Sequence, residues 1–209
     1  VILARQIGAR DRDGIERTIA MSLIIPVASG LLLATVGTAI APMLLKLTSC
    51  PADCFEGAAV YLRIYVASAP AILLYNFGSA ILRAVGDTKR PLYYLTIAGV
   101  VNVVLNLIFV VFLHMSVAGV ALATIISQAV SAWLVLHSLM MANGPTRLNI
   151  RRLHFNREML LGIIRIGLPA GIQSSVFSLS NVVIQSSVNS FGSVVVAGNA
   201  AAANVGSFV

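Results

Sequence analysis

The sequence predicts an all-α fold, a polytopic bundle of transmembrane helices, and three observations carry that prediction. The 209 residues are 58% hydrophobic and only 10% charged, against roughly 25% charged in soluble domains. Mean hydropathy is +0.94. The charges fall in clusters that separate uncharged runs, and about 20 apolar residues suffice to cross a bilayer as a helix. These runs are too long, and alternate too little, for barrel strands. The net charge of +7 is read as membrane topology. It is not read as a nucleic-acid surface, because the bases stand at intervals between the runs.

No signal-peptide pattern opens the chain: Val1 begins a short apolar patch that meets Arg5 with no basic leader or small-residue cleavage site. A start without Met and an apolar end, AAAANVGSFV, are read as marks of an internal piece of a longer protein.

The first span lies in the 28 uncharged residues between Arg17 and Lys46, about 42 Å of helix at about 1.5 Å per residue. Pro26, Gly30, Gly37 and Pro42 predict that it bends. The second occupies the 19 uncharged residues between Arg63 and Arg83, starting near Gly57, with each Arg snorkelling to its own interface. A third runs from Arg90 to His114 and a fourth from Ser116 to about Ala142. The last 44 residues, from Ile166 onward, hold no charge and would be about twice the bilayer as one helix. That run must turn. Asn189, Ser190, Phe191, Gly192 and Ser193 supply the turn chemistry, which ends a fifth span near Asn189 and begins a partial sixth.

About five complete spans plus partial ones place alternate loops on opposite sides. One set of loops holds Arg5, Arg10, Arg12, Arg17, Arg83, Lys89, Arg90, Arg147, Arg151, Arg152, Arg157 and Arg165, twelve of the fourteen bases. The positive-inside bias makes that side cytoplasmic. Lys46 and Arg63 stay on the other. LRAVGDTKRP, residues 82–91, is then a cytoplasmic connector: Gly86 and Asp87 make the turn, Pro91 starts the next helix, and Arg83, Asp87 and Lys89 hold it. CPADC, residues 50–54, falls on the exoplasmic side, where Cys50 and Cys54 read equally as a loop disulfide or as two unlinked thiols. Two cysteines are too few for zinc.

All seven acids, Asp11, Asp13, Glu16, Asp53, Glu56, Asp87 and Glu158, lie in or beside loops. An intramembrane carboxylate is the usual carrier of cation coupling, so no coupling group is expected in these spans. His114, His137 and His154 share no helix face at ligand spacing, and no metal site is expected. The chain lacks HExxH, GxSxG and a phosphate-binding glycine loop. It is not expected to be an enzyme.

Polar residues nevertheless line up. Ser174, Ser178, Asn181, Gln185 and Asn189 occupy an arc of about 80° at 100° per residue, with Gln173 near it. Thr124, Ser127, Gln128 and Ser131 share about 100°, Ser68, Asn76, Ser79 and Arg83 share about 80°, and Asn102 and Asn106 lie one turn apart. Two readings stand. Such groups join helices by hydrogen bonds, or they line a hydrated cavity that admits a polar or cationic solute. The hydroxyls favour joining and the amides favour the cavity. Gly119, Ala123 and Ser127, spaced by four, favour close helix packing.

The motifs IGARDRDG (7–14), YLRIY (61–65), LRAVGDTKRP (82–91), NVVLNLIFV (102–110), AGVALATIISQ (118–128) and RIGLPAGIQSSVFSLSNVVIQSSVNSFG (165–192) occur in an order that resembles the multidrug and toxic compound extrusion (MATE) family. The resemblance covers nearly the whole chain. It implies a fragment of a twelve-helix, two-lobe transporter of the plasma (inner) membrane, which exports small organic cations in exchange for sodium ions or protons by alternating access. On that map residues 1–142 belong to the N-terminal lobe, 143–158 form the cytoplasmic linker, and 159–209 begin the C-terminal lobe. Gln173, Asn181, Gln185, Asn189, Asn102 and Asn106 are the candidate substrate-cavity residues. No cofactor is implied, and the partners are the substrate and the lipid bilayer, with oligomeric state open. Two departures stand out. The first helix, which carries a coupling aspartate in many members, has no counterpart in this chain, and the position ten residues after Gly167, acidic in some branches, is Phe177. The coupling-ion site is therefore expected outside this chain. Two rival readings are a lipid-linked oligosaccharide flippase of related architecture, disfavoured because no arginine is expected in mid-span to meet a pyrophosphate, and a non-transporting membrane scaffold.

Overall fold

The structure, a computed structural model, describes residues 2–48, 52–142, 148 and 155–206. Most of the expected linker, with Arg147, Arg151, Arg152 and His154, lies outside the described residues. So does Cys50, and with it the question of the disulfide. Eight α-helices follow in order: α1 (Ile2–Gly8), α2 (Arg12–Leu47), α3 (Ala52–Ala67), α4 (Ala69–Ala84), α5 (Lys89–Leu107), α6 (Ser116–Met140), α7 (Arg157–Asn189) and α8 (Ser193–Gly206). Among the described residues there is no strand. Among the described residues four helices are long and apolar enough to cross a membrane, and α3 with α4 makes a fifth such unit.

Helix starts follow the sequence locally. The Asp11 side chain accepts the Gly14 N–H at 3.0 Å, and the Asn156 side chain accepts the Met159 N–H at 2.9 Å. Each satisfies a first-turn donor that the helix itself leaves open. From the Asp11 cap to its C-terminal end, α2 runs unbroken through Pro26 and Pro42.

The second span, expected as one run starting near Gly57, is interrupted. It is two 16-residue helices, bent by 46° at Ser68. The cause is Pro70, which has no N–H to donate back along the helix and whose ring crowds the carbonyl four residues earlier. Ser68 fills the joint by donating its hydroxyl to the Tyr65 carbonyl at 2.6 Å. The stripe of Ser68, Asn76, Ser79 and Arg83 is accordingly broken: Ser68 and Ser79 are buried, whereas Asn76 and Arg83 are exposed. The third span also ends unexpectedly, in a π-helical turn, Ile108–Phe112.

The helices assemble as α2 against α3 and α4, with α6 closing on α3, α4 and α5. Two glycines set the spacing. A Cβ on Gly30 would lie 2.5 Å from Pro70 Cα, and one on Gly78 would overlap Val135. Gly119, Ala123 and Ser127 are all buried, as close packing along α6 requires. The apolar core sits toward the end where α2 and α5 begin and α4 and α6 finish, built from Leu3, Ile15, Ile19, Ile81, Val135 and Leu139. This is also the end that carries Arg12, Arg17, Arg83, Lys89 and Arg90, and it is called the basic end below.

Candidate functional site

The connector at the basic end closes by backbone chemistry. Gly86, at φ +92°, sits just past α4. Its N–H donates to the Arg83 carbonyl and the Asp87 N–H donates to the Leu82 carbonyl, both at 3.0 Å. This paired closure needs the left-handed conformation that glycine adopts without strain. The Asp87 carboxylate then accepts the Arg90 backbone N–H at 3.1 Å and pairs with the Arg90 guanidinium at 3.0 Å. Arg90 is therefore the cation paired at this turn, and it is exposed like Arg83 and Lys89. Helix α5 starts at Lys89, two residues before Pro91, whose carbonyl accepts the Tyr75 hydroxyl at 3.0 Å. The sequence signal for Arg90 was its place three residues after an acid that precedes a helix, within reach of the carboxylate.

The candidate cavity residues divide into two groups that lie on different helices with different surroundings. Asn102 donates to Ser127 Oγ at 3.2 Å and accepts from Asn106 Nδ2 at 2.9 Å, joining α5 to α6. Ser127 passes its own proton to the Thr124 carbonyl at 2.8 Å. Asn106 Oδ1 is enclosed with no partner.

The second group is on α7, where Asn189 alone is buried. Asn181 and Gln173 are exposed and Gln185 is half-buried. Gln173 lies about 80° outside the stripe at 100° per residue. Asn189 is turned into a helix contact, since its Nδ2 donates to the Thr48 carbonyl at 2.7 Å. Gln185 Nε2 in turn donates to Asn189 Oδ1 at 2.8 Å. At its other end α7 meets α2 again: Thr18 Oγ1, which donates its proton to Gln6 Oε1 at 2.5 Å, lies 3.3 Å from Met159 Sδ.

These contacts define a seam. Thr18 and Thr48 are thirty residues apart on α2, and Met159 and Asn189 are thirty apart on α7, so the two helices run parallel for about 45 Å. Near the basic end a cavity of about 260 Å³ lies between them, lined by Thr18, Ser22, Phe77, Ile81, Ile163 and Gly167. Ile163 and Gly167 fall within the arc of Ser174, Ser178, Asn181, Gln185 and Asn189. The start of the α7 polar arc thus borders the cavity it shares with α1, α2 and α4. On α2, Leu32, Val36, Ile40 and Met43 share the face of Thr18 and are 39–64% exposed. Between the two points of contact, this apolar face and the α7 residues Ser174, Ser178 and Asn181 are all exposed.

A bundle of this kind, with long apolar helices and exposed aliphatic faces, is a multi-pass membrane protein. The sequence model of MatE matches residues 1–108, and the chain belongs to the MatE family. It is 31% identical to the probable multidrug resistance protein YpnP of Bacillus subtilis over its whole length, which is 46% of that relative. The chain thus spans about half the length of the curated relatives it matches. Among solved structures it resembles an inward-facing multidrug resistance MATE family transporter of the MOP superfamily (30% identity, TM-score 0.74, covering 80% of this chain and 38% of that one). It also resembles an outward-facing one (29% identity, TM-score 0.77, covering 85% and 40%).

Proposed function

We propose that the protein of which this chain is part is a secondary active multidrug exporter of the plasma (inner) membrane, moving amphipathic organic cations by alternating access in exchange for sodium ions or protons. Family membership and the multidrug resistance relatives support export, and the paired inward- and outward-facing relatives support alternating access. The observation that carries the substrate class is the seam. An apolar face of Leu32, Val36, Ile40 and Met43 takes the hydrophobic body, and Asn181 with the free oxygen of Gln185 accepts hydrogen bonds from a protonated amine.

No acid among the described residues lies in the middle of a span, so the coupling ion is assigned to residues outside this chain, and no cofactor or enzymatic step is invoked. Residues 1–142 and 159–209 contribute to the two lobes, joined by 143–158 on the cytoplasmic side. Asn102 and Asn106 then serve the N-terminal lobe internally and not the solute. Efflux of a fluorescent cationic dye from cells making the intact gene product tests this reading. Asn181→Leu is expected to reduce efflux about tenfold, the cost of about one hydrogen bond to a charged group, with protein level and melting temperature unchanged. Undiminished efflux in that variant removes the seam as the substrate site.

A further inference from the structure

The α2–α7 seam is held by different chemistry at its two ends. At the basic end the partners are sulfur atoms: Met159 Sδ lies 3.3 Å from Thr18 Oγ1, whose proton goes to Gln6 Oε1, and the Asn156 N–H is directed at Met21 Sδ at 3.4 Å. A thioether is a weak acceptor. A second cavity, of about 560 Å³, opens beside these contacts and is lined by Arg5, Asp13, Arg17, Glu158 and Arg165 among others. At the far end the contact is a carboxamide on a backbone carbonyl, Asn189 Nδ2 to Thr48 O at 2.7 Å.

The orientation of that carboxamide follows from hydrogen-bond inventory. The Thr48 carbonyl can only accept, so Asn189 must present its NH2 group there, which leaves its oxygen to receive the NH2 of Gln185. Thr48 caps α2, and its carbonyl stands beside the last-turn carbonyls that find no partner within a helix, at the negative end of the helix dipole. It is a strong acceptor. Asn189 is only 9% exposed, so water competes little for the bond. Gly192, at φ +92°, reverses the chain three residues later and donates its N–H to the Asn189 carbonyl at 3.1 Å, which fixes the end of α7 against this joint.

The geometry points to Asn189 as an exoplasmic latch: its carboxamide, oriented by Gln185, ties the end of α7 to the cap of α2 and holds the exoplasmic mouth of the seam shut. The latch rests on the alternating-access reading above and adds to it the group that must let go before the mouth opens. Its strength suits a reversible device. One such bond biases an equilibrium by about three- to tenfold, enough to favour the closed mouth and weak enough to release in every cycle.

The test places spin labels at Lys46 and Phe191, both exposed, in the intact gene product carrying Cys50→Ala and Cys54→Ala, reconstituted in lipid vesicles. Pulsed dipolar distances between the labels report the mouth directly. The unsubstituted latch is expected to give a dominant short distance. Asn189→Leu raises the ratio of long to short distances about three- to tenfold, Asn189→Ala, which removes the carboxamide without adding bulk, does the same, and Gln185→Leu raises it by about twofold. A distribution unchanged in the Ala variant, or in the Leu variant, overturns the latch. Distances that respond while no dye leaves the cells retain the latch and remove the exporter, and efflux with unresponsive distances does the reverse.

Discussion

Helices α6 and α7 carry the same kind of polar stripe and put it to opposite uses. On α6, Ser127 and Ser131 donate to their own helix, to the carbonyls of Thr124 and Gln128, and are buried, following Gly119 and Ala123 at a four-residue spacing that lets neighbouring backbones approach. On α7, Ser178 and Ser187 return their protons to their own helix, to the carbonyls of Ser174 and Val183, and stay exposed. The difference lies in what stands opposite: α6 packs on α3, α4 and α5, whereas among the described residues α7 meets α2 near its two ends. Helix spacing shows that a polar face exists, and its neighbours decide whether it closes.

Four substitutions break or sharpen that contrast, from the greatest effect to the least. Gly78→Leu drives a side chain into Val135, on the packed face of α6, and is expected to destabilise the intact gene product by about 3 kcal/mol, at the top of the usual overpacking range; thermal melting in detergent reads it. Asn102→Leu removes the donor to Ser127 and the acceptor for Asn106, with an expected loss of about 1–2 kcal/mol in the same assay. On α7 the sign reverses. Gly171 has open space where a Cβ would go, so Gly171→Ala is expected to gain about 0.5–1 kcal/mol through helix propensity. Ser178→Ala, finally, exchanges a hydroxyl bonded only within its own turn and is expected to stay within about 0.5 kcal/mol of the parent. A large loss at Ser178 would place α7 in the same packed class as α6.

The sequence reads well where structure is set by neighbours along the chain. The uncharged runs mark the spans, and Gly86 and Gly192 mark two turns that take a positive φ. Its reading fails where the deciding partner is remote or where one residue outweighs the pattern. Pro70 was visible inside the second span, yet hydropathy averages over it, and a helix broken at Ser68 looks as apolar as an intact one. The π-helical turn at Ile108–Phe112 has no composition of its own. The polar stripe of α7 is a matter of period and is plain in the sequence. That Asn189 leaves it to meet Thr48, 141 positions earlier, is not, because spacing describes one helix and says nothing of what stands opposite. The match of Ile163 and Gly167 to the same arc becomes meaningful only once α2 is seen beside them.

The joint between α3 and α4 carries a consequence for the lipid. Pro70 brings no amide proton to the Val66 carbonyl, and a carbonyl facing hydrocarbon without a donor is costly. Gly30 presses bare backbone against this place, so the chain insulates the gap with its own main chain and keeps acyl tails off it. Any bulkier residue at position 30 would pry the two helices apart and let lipid or water reach a rung that has lost half its bond.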